Sequence, residues 1–287
     1  MILGLFDFNS YYGDTTSNSW ISKVMPVVIG AFLGFSLTKL SDYIKGRKSI
    51  RSAGTDLINE VSLLKSPIQK QAESLNKLVT QLKVDAFNAP TLELNFLLNT
   101  KRIELIDRSL AMEYFVKTYE GNRKNAREKL NNIFSGLDII AYESKRIEQL
   151  FNYYLEQGTI YFKEWKTSAD KIITYCANCT TDLERQGKPI ESDAFVHSFF
   201  LLTNTFAQAE NQELFFLRDN FHTPLARLDA DHRIDPRVSQ LREYNYQCFQ
   251  AIKELSALRE ECALKFGRIS KSLESQYSKL ETDIKLN

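Results

Sequence analysis

The sequence predicts an all-α protein in which one N-terminal transmembrane helix is followed by a long-helix bundle with coiled-coil-like packing. Three observations predict it. A single long uncharged apolar run lies near the N-terminus, apolar residues recur at steps of three, four and seven through most of the remaining chain, and no period-two alternation is flanked by hairpin turns. A composition that is 43% hydrophobic and 25% charged is that of folded protein, and a mean hydropathy of −0.31 is too polar for a multi-span transporter. Any membrane segment is therefore a minority of the chain.

The run is WISKVMPVVIGAFLGFSLTKL, Trp20 to Leu40, with no charge between Lys23 and Lys39. Its strictly apolar centre, Val24 to Leu37, is short enough to suit a buried core helix as well as a span. Its ends favour the span. Trp20 suits the interface, Lys23 and Lys39 can snorkel outward, and Pro26 falls in the first turn. With those ends the helix is ~31 Å long at ~1.5 Å per residue, the thickness of a hydrocarbon core. The division expected is a short extracytoplasmic tail over 1–19, a transmembrane helix over 20–40 and a cytosolic helical bundle over 41–287.

Charge sets the expected orientation. Before the run stand Asp7 and Asp14 and no Lys or Arg, whereas Lys39, Lys45, Arg47, Lys48 and Arg51 follow it against a single Asp42. The positive-inside rule then places the N-terminus outside and the bulk in the cytoplasm of a single-pass cell-membrane protein. The segment before the run lacks positive charge and no small-x-small site closes it, so the helix reads as an uncleaved anchor. The basic cluster sits where anionic lipid headgroups attract it. The remainder of the chain carries a slight acidic excess, so nucleic acid is not an expected partner.

Each element beyond the anchor has its own pattern. Leu57, Val61, Leu64, Ile68, Leu75, Leu78 and Leu82 predict an amphipathic helix, continuous with the span or kinked near Pro67 and broken by Asn88, Ala89 and Pro90. Leu94 to Tyr119 predicts a helix through Leu97, Leu98, Ile103, Leu105, Ile106, Leu110 and Tyr114, closed by Gly121-Asn122. Asn122 to Gln157 predicts another, and Thr159 to Gln186 continues it or restarts after Gly158, with Gly187-Lys188-Pro189 as the stop. Ser192 or Asp193 caps a helix to about Asn220, His222 to Asp235 reads as a loop, and Asp235-Pro236 opens the last helix. In that helix Cys248, Ile252, Leu255, Cys262, Phe266, Ile269, Leu273 and Leu280 form a heptad seam, broken by Arg259 and Gln276.

Gly30 and Gly34 make a GxxxG within the span, and Ser22, Pro26 and Thr38 extend the ridge. It reads either as a helix–helix contact in a homo-oligomer or with a partner protein, or as a lipid-facing surface. Cys176 and Cys179 form a CxxC, a candidate redox pair or half of a metal site. Cys248 and Cys262 occupy seam positions ~21 Å apart along one helix and cannot complete a four-thiolate site, so core packing is the alternative. His197, in AFVHSFFLL, reads as a satisfied core histidine.

Arg227 and His232 form R-x4-H. The spacing resembles the motif of the all-helical HEPN ribonucleases, which implies an Arg and a His flanking a scissile phosphate; the resemblance covers these positions alone, and chance spacing is the alternative. The layout of short tail, span, basic stop and long helices resembles a heterogeneous class of bacterial proteins, some associated with phage defence. Phe195, Phe199, Phe200, Phe206, Phe215 and Phe216, with Phe151, Tyr153, Tyr154, Tyr161, Phe162 and Trp165, read as bundle core or as the lining of an apolar pocket.

Phosphate-loop, HExxH, GxSxG and dinucleotide-binding patterns are missing from the sequence. The function expected is thus a membrane-anchored interaction or sensor module that recruits or responds to a cytosolic partner, without a cofactor and not a recognisable enzyme. The alternative is a membrane-associated defence or toxin effector, disrupting the membrane or cleaving RNA.

Overall fold

The computed structural model describes residues 19–84, 90–95, 103, 105–118, 122–208 and 213–284, with side chains from Met25 onward in the first helix. The expected tail up to residue 18, the break at Asn88 and Ala89, Leu97, Leu98 and Gly121 lie outside the described residues, as do the side chains of Trp20, Ser22 and Lys23. Among the described residues the chain is helical and has no strand.

Helix α1 is Ser19–Leu63 and α2 is Lys65–Lys83. They form a nearly continuous rod interrupted at Leu64, which keeps a helical φ of −71° and ψ of −15°. Pro67 is the cause. Its nitrogen cannot donate to the Leu63 carbonyl four residues back, and its ring crowds that carbonyl, so the ladder breaks there. Leu57, Val61, Leu64, Ile68, Leu75, Leu78 and Leu82 are all buried, as their spacing predicts.

Of the helix expected over Leu94–Tyr119, the described residues bear out Ile103 and Arg108–Thr118, whereas Leu94 and Asn95 are not helical. Residues 90–95 are extended and run along α2, while the helix itself, α3, is only Arg108–Thr118. Side chains of α2 draw the segment out. Gln81 Oε1 accepts from Thr91 N at 2.9 Å, Ser74 Oγ from Glu93 N at 3.1 Å and Gln71 Oε1 from Asn95 N at 2.7 Å. The N–H groups of Thr91, Glu93 and Asn95 are thus satisfied by a neighbouring helix. Asp107 then caps α3 through Ser109 N and Leu110 N.

Helix α3 lies against α1, where Gly54 permits the approach: a Cβ there would fall 2.0 Å from Tyr114 Cγ. Gly54→Leu is accordingly expected to lower stability by about 1–3 kcal/mol, read as a reduced denaturation midpoint, because it overpacks a closed contact.

Helix α4, Arg123–Arg185, is capped by Asn122 Oδ1 on Asn125 N and runs through Gly158 without a break. It extends 63 residues, ~95 Å. A lone interior glycine costs only about 1 kcal/mol, and buried residues on either side hold the helix together. Gly187, at a φ of 64°, ends it, with Lys188 N donating to Leu183 O at 3.0 Å.

Helix α5 is Ala194–Ala207, opened by Asp193 Oδ1 accepting from Val196 N. Then come α6, Leu214–Leu217, a π turn Arg218–His222, and α7, Thr223–Asp231, so most of the stretch read as a loop from His222 is helical. Pro224 lies within this continuous helical run, directly after the π turn in which Thr223 N donates to Arg218 O. Helix α8 is Val238–Ile284, beginning just after the predicted Asp235-Pro236.

Helix α8 is the spine, with its most extensive packing against α4 and α2. It runs antiparallel to both. Along α4, Gly136 meets Leu280, Trp165 O accepts from Cys248 Sγ, and Tyr175 OH donates to Arg237 O. Along α2, Lys65 pairs with Glu281, Ser270 Oγ donates to Ala72 O, and Arg259 meets the end at Leu82. The α1–α2 junction, α3, the start of α4 and the end of α8 thus cluster at one end of a long bundle, and α5, α6 and α7 cover the other.

The seam residues Cys248, Ile252, Leu255, Cys262, Phe266, Ile269, Leu273 and Leu280 are all buried within the chain. Self-association through that seam is therefore not available without dismantling the bundle.

Candidate functional site

The first site is the free length of α1. Every side chain from Met25 to Ser49 is exposed, and burial begins only at Ile50. Val27 is 69% exposed, Phe32 71% and Leu37 65%. One helix among the described residues is thus long and apolar enough to cross a membrane, and its apolar window is not buried against any described residue. Gly30 and Gly34 have no side chain within 4 Å of the place a Cβ would take, and the Thr38 hydroxyl is spent on Gly34 O at 2.8 Å.

Just past the apolar run the structure divides the basic cluster. Lys45 and Lys48 line a groove of about 850 Å³ between α1 and the start of α3, together with Ser49, Ser52, Asp56, Glu60, Leu105 and Asp107. Arg47 and Arg51 do not line it: Arg47 lies 4.8 Å over the Tyr43 ring, and Lys39 lies 5.5 Å over Phe35. Inside the groove Ser52 Oγ donates to Asp56 Oδ2 at 2.9 Å. The Ser109 hydroxyl and the N–H groups of Ser109 and Leu110 donate to Asp107 and hold its carboxyl below the usual range. Leu105, expected to face the core, is 84% exposed beside this groove.

The CxxC is interior. Cys176 and Cys179 are buried on α4, and burial pushes both thiols up; Cys176 Sγ lies 3.1 Å from Thr203 Oγ1. A nucleophilic or ligating cysteine needs its thiolate favoured, and here burial favours the thiol. Burial also pushes Cys248 to about 12 and Cys262 to about 11. Among the described residues no three His, Cys, Asp or Glu side chains are grouped to hold a metal ion.

Arg227 is exposed on α7, and His232 ends that helix, edge-on to Phe195 at 5.6 Å. A five-residue step turns about 140° around a helix, so the helix does not carry the two groups to one face. The aromatic residues divide in a similar way. Phe195, Phe199 and Phe221 are core, with Phe206 stacked on Phe221 at 4.1 Å, whereas Phe200 and Phe215 are 39% and 43% exposed.

Sequence reasoning missed the interior histidine. His197 is only half-buried, and His222 is the one at 0% exposure. Trp165 Nε1 donates to His222 Nε2 at 3.1 Å, which forces the proton onto Nδ1, facing Asn245 Oδ1 at 2.8 Å; Asn245 Nδ2 donates back to His222 O at 2.9 Å. Burial holds the imidazole down at about 4. No local pattern marks it, because the groups that hold it, Trp165 and Asn245, come from other helices.

Fold and site together define an elongated helical bundle with an apolar N-terminal helix that is exposed from Met25 to Ser49 among the described residues. No protein-family model, curated protein or solved structure matches the chain.

Proposed function

We propose that the chain is a single-pass membrane protein whose N-terminal helix anchors a long helical rod in the cytoplasm, and that the rod recruits or senses a partner protein. One observation carries the reading: a helix whose side chains are all exposed from Met25 to Ser49 and uncharged up to Lys39. Each large apolar side chain favours leaving water by about 1.5–3 kcal/mol, and nothing in the bundle covers them, so the bilayer is the surrounding that fits. The basic residues after the run support a cytoplasmic body. With α4 alone ~95 Å long, the rod holds α5, α6 and α7 far from the bilayer, where exposed Phe200, Leu201 and Phe215 offer apolar contact to a partner.

The wild-type protein is expected to stay in the membrane pellet through alkaline carbonate. Val28→Arg with Leu33→Arg should release it, since each mid-helix Arg costs about 2.5–3.5 kcal/mol of insertion. An N-terminal tag should be cut by protease added to intact cells while the body is protected. Carbonate extraction of the wild-type chain would overturn the anchor, and protection of the tag would overturn the orientation. A solubilised protein that co-purifies with no stoichiometric partner, with or without cross-linking, would overturn recruitment.

A further inference from the structure

We propose that the groove between α1 and α3 binds the headgroup of a zwitterionic phospholipid carrying a primary ammonium, of the phosphatidylethanolamine kind. The inference rests on α1 being a membrane span and names the lipid that the foot of that span recognises.

Position comes first. Lys45 is five residues beyond Leu40, ~7.5 Å along the helix, so the upper end of the groove lies at the depth of the headgroup layer, which adds about 5–8 Å on each side of the hydrocarbon core. The groove is also continuous with the small-residue ridge. Gly30, Gly34, Thr38, Ser41, Lys45, Ser49 and Ser52 follow one another at steps of three and four, on one face of an unbroken helix. That face is open at both glycines, and a shallow apolar track lets an acyl chain lie close to the backbone directly above the groove.

Charge order comes second. Along α1 the groove presents Lys45 and Lys48 nearest the bilayer, then the hydroxyls of Ser49 and Ser52, then the carboxylates of Asp56 and Glu60, with Asp107 opposite. A purely anionic headgroup would match the lysines and be repelled by the carboxylates beyond them. A phosphodiester followed by an ammonium meets each charge in turn. Lys48 to Asp56 is ~12 Å along the axis, a gap that a phosphate, a two-carbon arm and an ammonium bridge with one charge-assisted hydrogen bond at each end. A quaternary ammonium cannot donate that second bond. Exposed Leu105 beside the charged groups adds an apolar wall, which suits the glycerol end of a lipid rather than a free soluble phosphate.

The test uses the full chain in vesicles of phosphatidylcholine containing equal small fractions of phosphatidylethanolamine and phosphatidylglycerol. Lipid retained on the gently solubilised protein is read by native mass spectrometry. Phosphatidylethanolamine should be enriched about tenfold over either competitor, the ratio that one or two additional charge-assisted bonds support. Asp56→Asn should remove its advantage over phosphatidylcholine, and Lys48→Gln should reduce retention of all phosphate lipids. Arg47→Gln, off the groove, should change neither. Equal or better retention of phosphatidylglycerol would reduce the site to an unspecific basic belt, and displacement of the lipid by soluble glycerophosphate would mean that the groove takes phosphate rather than lipid. Failure of the span is read separately: wild type released by carbonate overturns both readings, whereas membrane-retained protein without lipid preference overturns this one alone.

Discussion

Arg259→Met is expected to destabilise the bundle by about 2–4 kcal/mol, the range for stripping the donor from buried charge-assisted hydrogen bonds. Arg259 is 5% exposed on α8 and donates from Nε to Leu82 O at 3.1 Å and from Nη2 to Gln81 O at 2.9 Å and Val84 O at 2.6 Å. Those carbonyls belong to the end of α2, where the last turn has no amide left to accept from. The guanidinium is thus the C-terminal cap of a different helix, and its charge also suits the negative end of the α2 dipole. Methionine keeps the stem packed and removes every donor. Lysine keeps the charge without the planar fork, so Arg259→Lys should recover only part of the loss. Urea unfolding of the solubilised chain measures both, and hydrogen exchange should show accelerated amides confined first to the end of α2. A methionine variant as stable as wild type would mean that those carbonyls find other donors.

Acidification from neutral pH toward pH 4 is expected to cost about 3 kcal/mol through His222 alone. Its pKa is about 4 in the folded protein because burial disfavours the charged ring, against an unfolded value near 6.5. The unfolded chain therefore binds the proton first. The contribution is fully present above ~6.5 and is lost as pH falls from there to ~4. Protonation would also set Nε2–H against the Trp165 N–H, so the indole should report the event as a change in fluorescence. Asp193, held low by the Val196 N–H and then by Arg237, and Asp235, held low by Arg237, act in a lower window, below the ordinary carboxylate value. His222→Leu is expected to lower stability at pH 7 by orphaning the Trp165 and Asn245 groups, yet to flatten the slope between pH 6.5 and 4. A slope unchanged in that variant would assign the acid response to other groups.

Much of the bundle was legible in the sequence. The beat from Leu57 to Leu82 and the one from Cys248 to Leu280 named residues that the fold buries, because a 3.6-residue period fixes which side of a helix is apolar regardless of what it meets. Asn122, Asp193 and Gly187 marked real helix ends, because caps are local chemistry. Where the reading failed, a neighbour supplied the missing term. Leu94 and Asn95 continue the non-helical segment from Pro90 because Gln81, Ser74 and Gln71 satisfy the amides of Thr91, Glu93 and Asn95 from another helix. Arg259 looked like a flaw in a heptad because its partners lie about 175 residues away in sequence.

The sequence by itself determined that this chain is helical, where its apolar run lies and which residues turn inward, since period, charge and capping act over a few residues of backbone. Only the tertiary structure decided that the C-terminal seam is used within the chain, that the interior histidine is His222, and that the basic cluster divides between a groove and open solvent. Each of those depends on which helices lie side by side, and burial and hydrogen bonding between distant segments have no local signature.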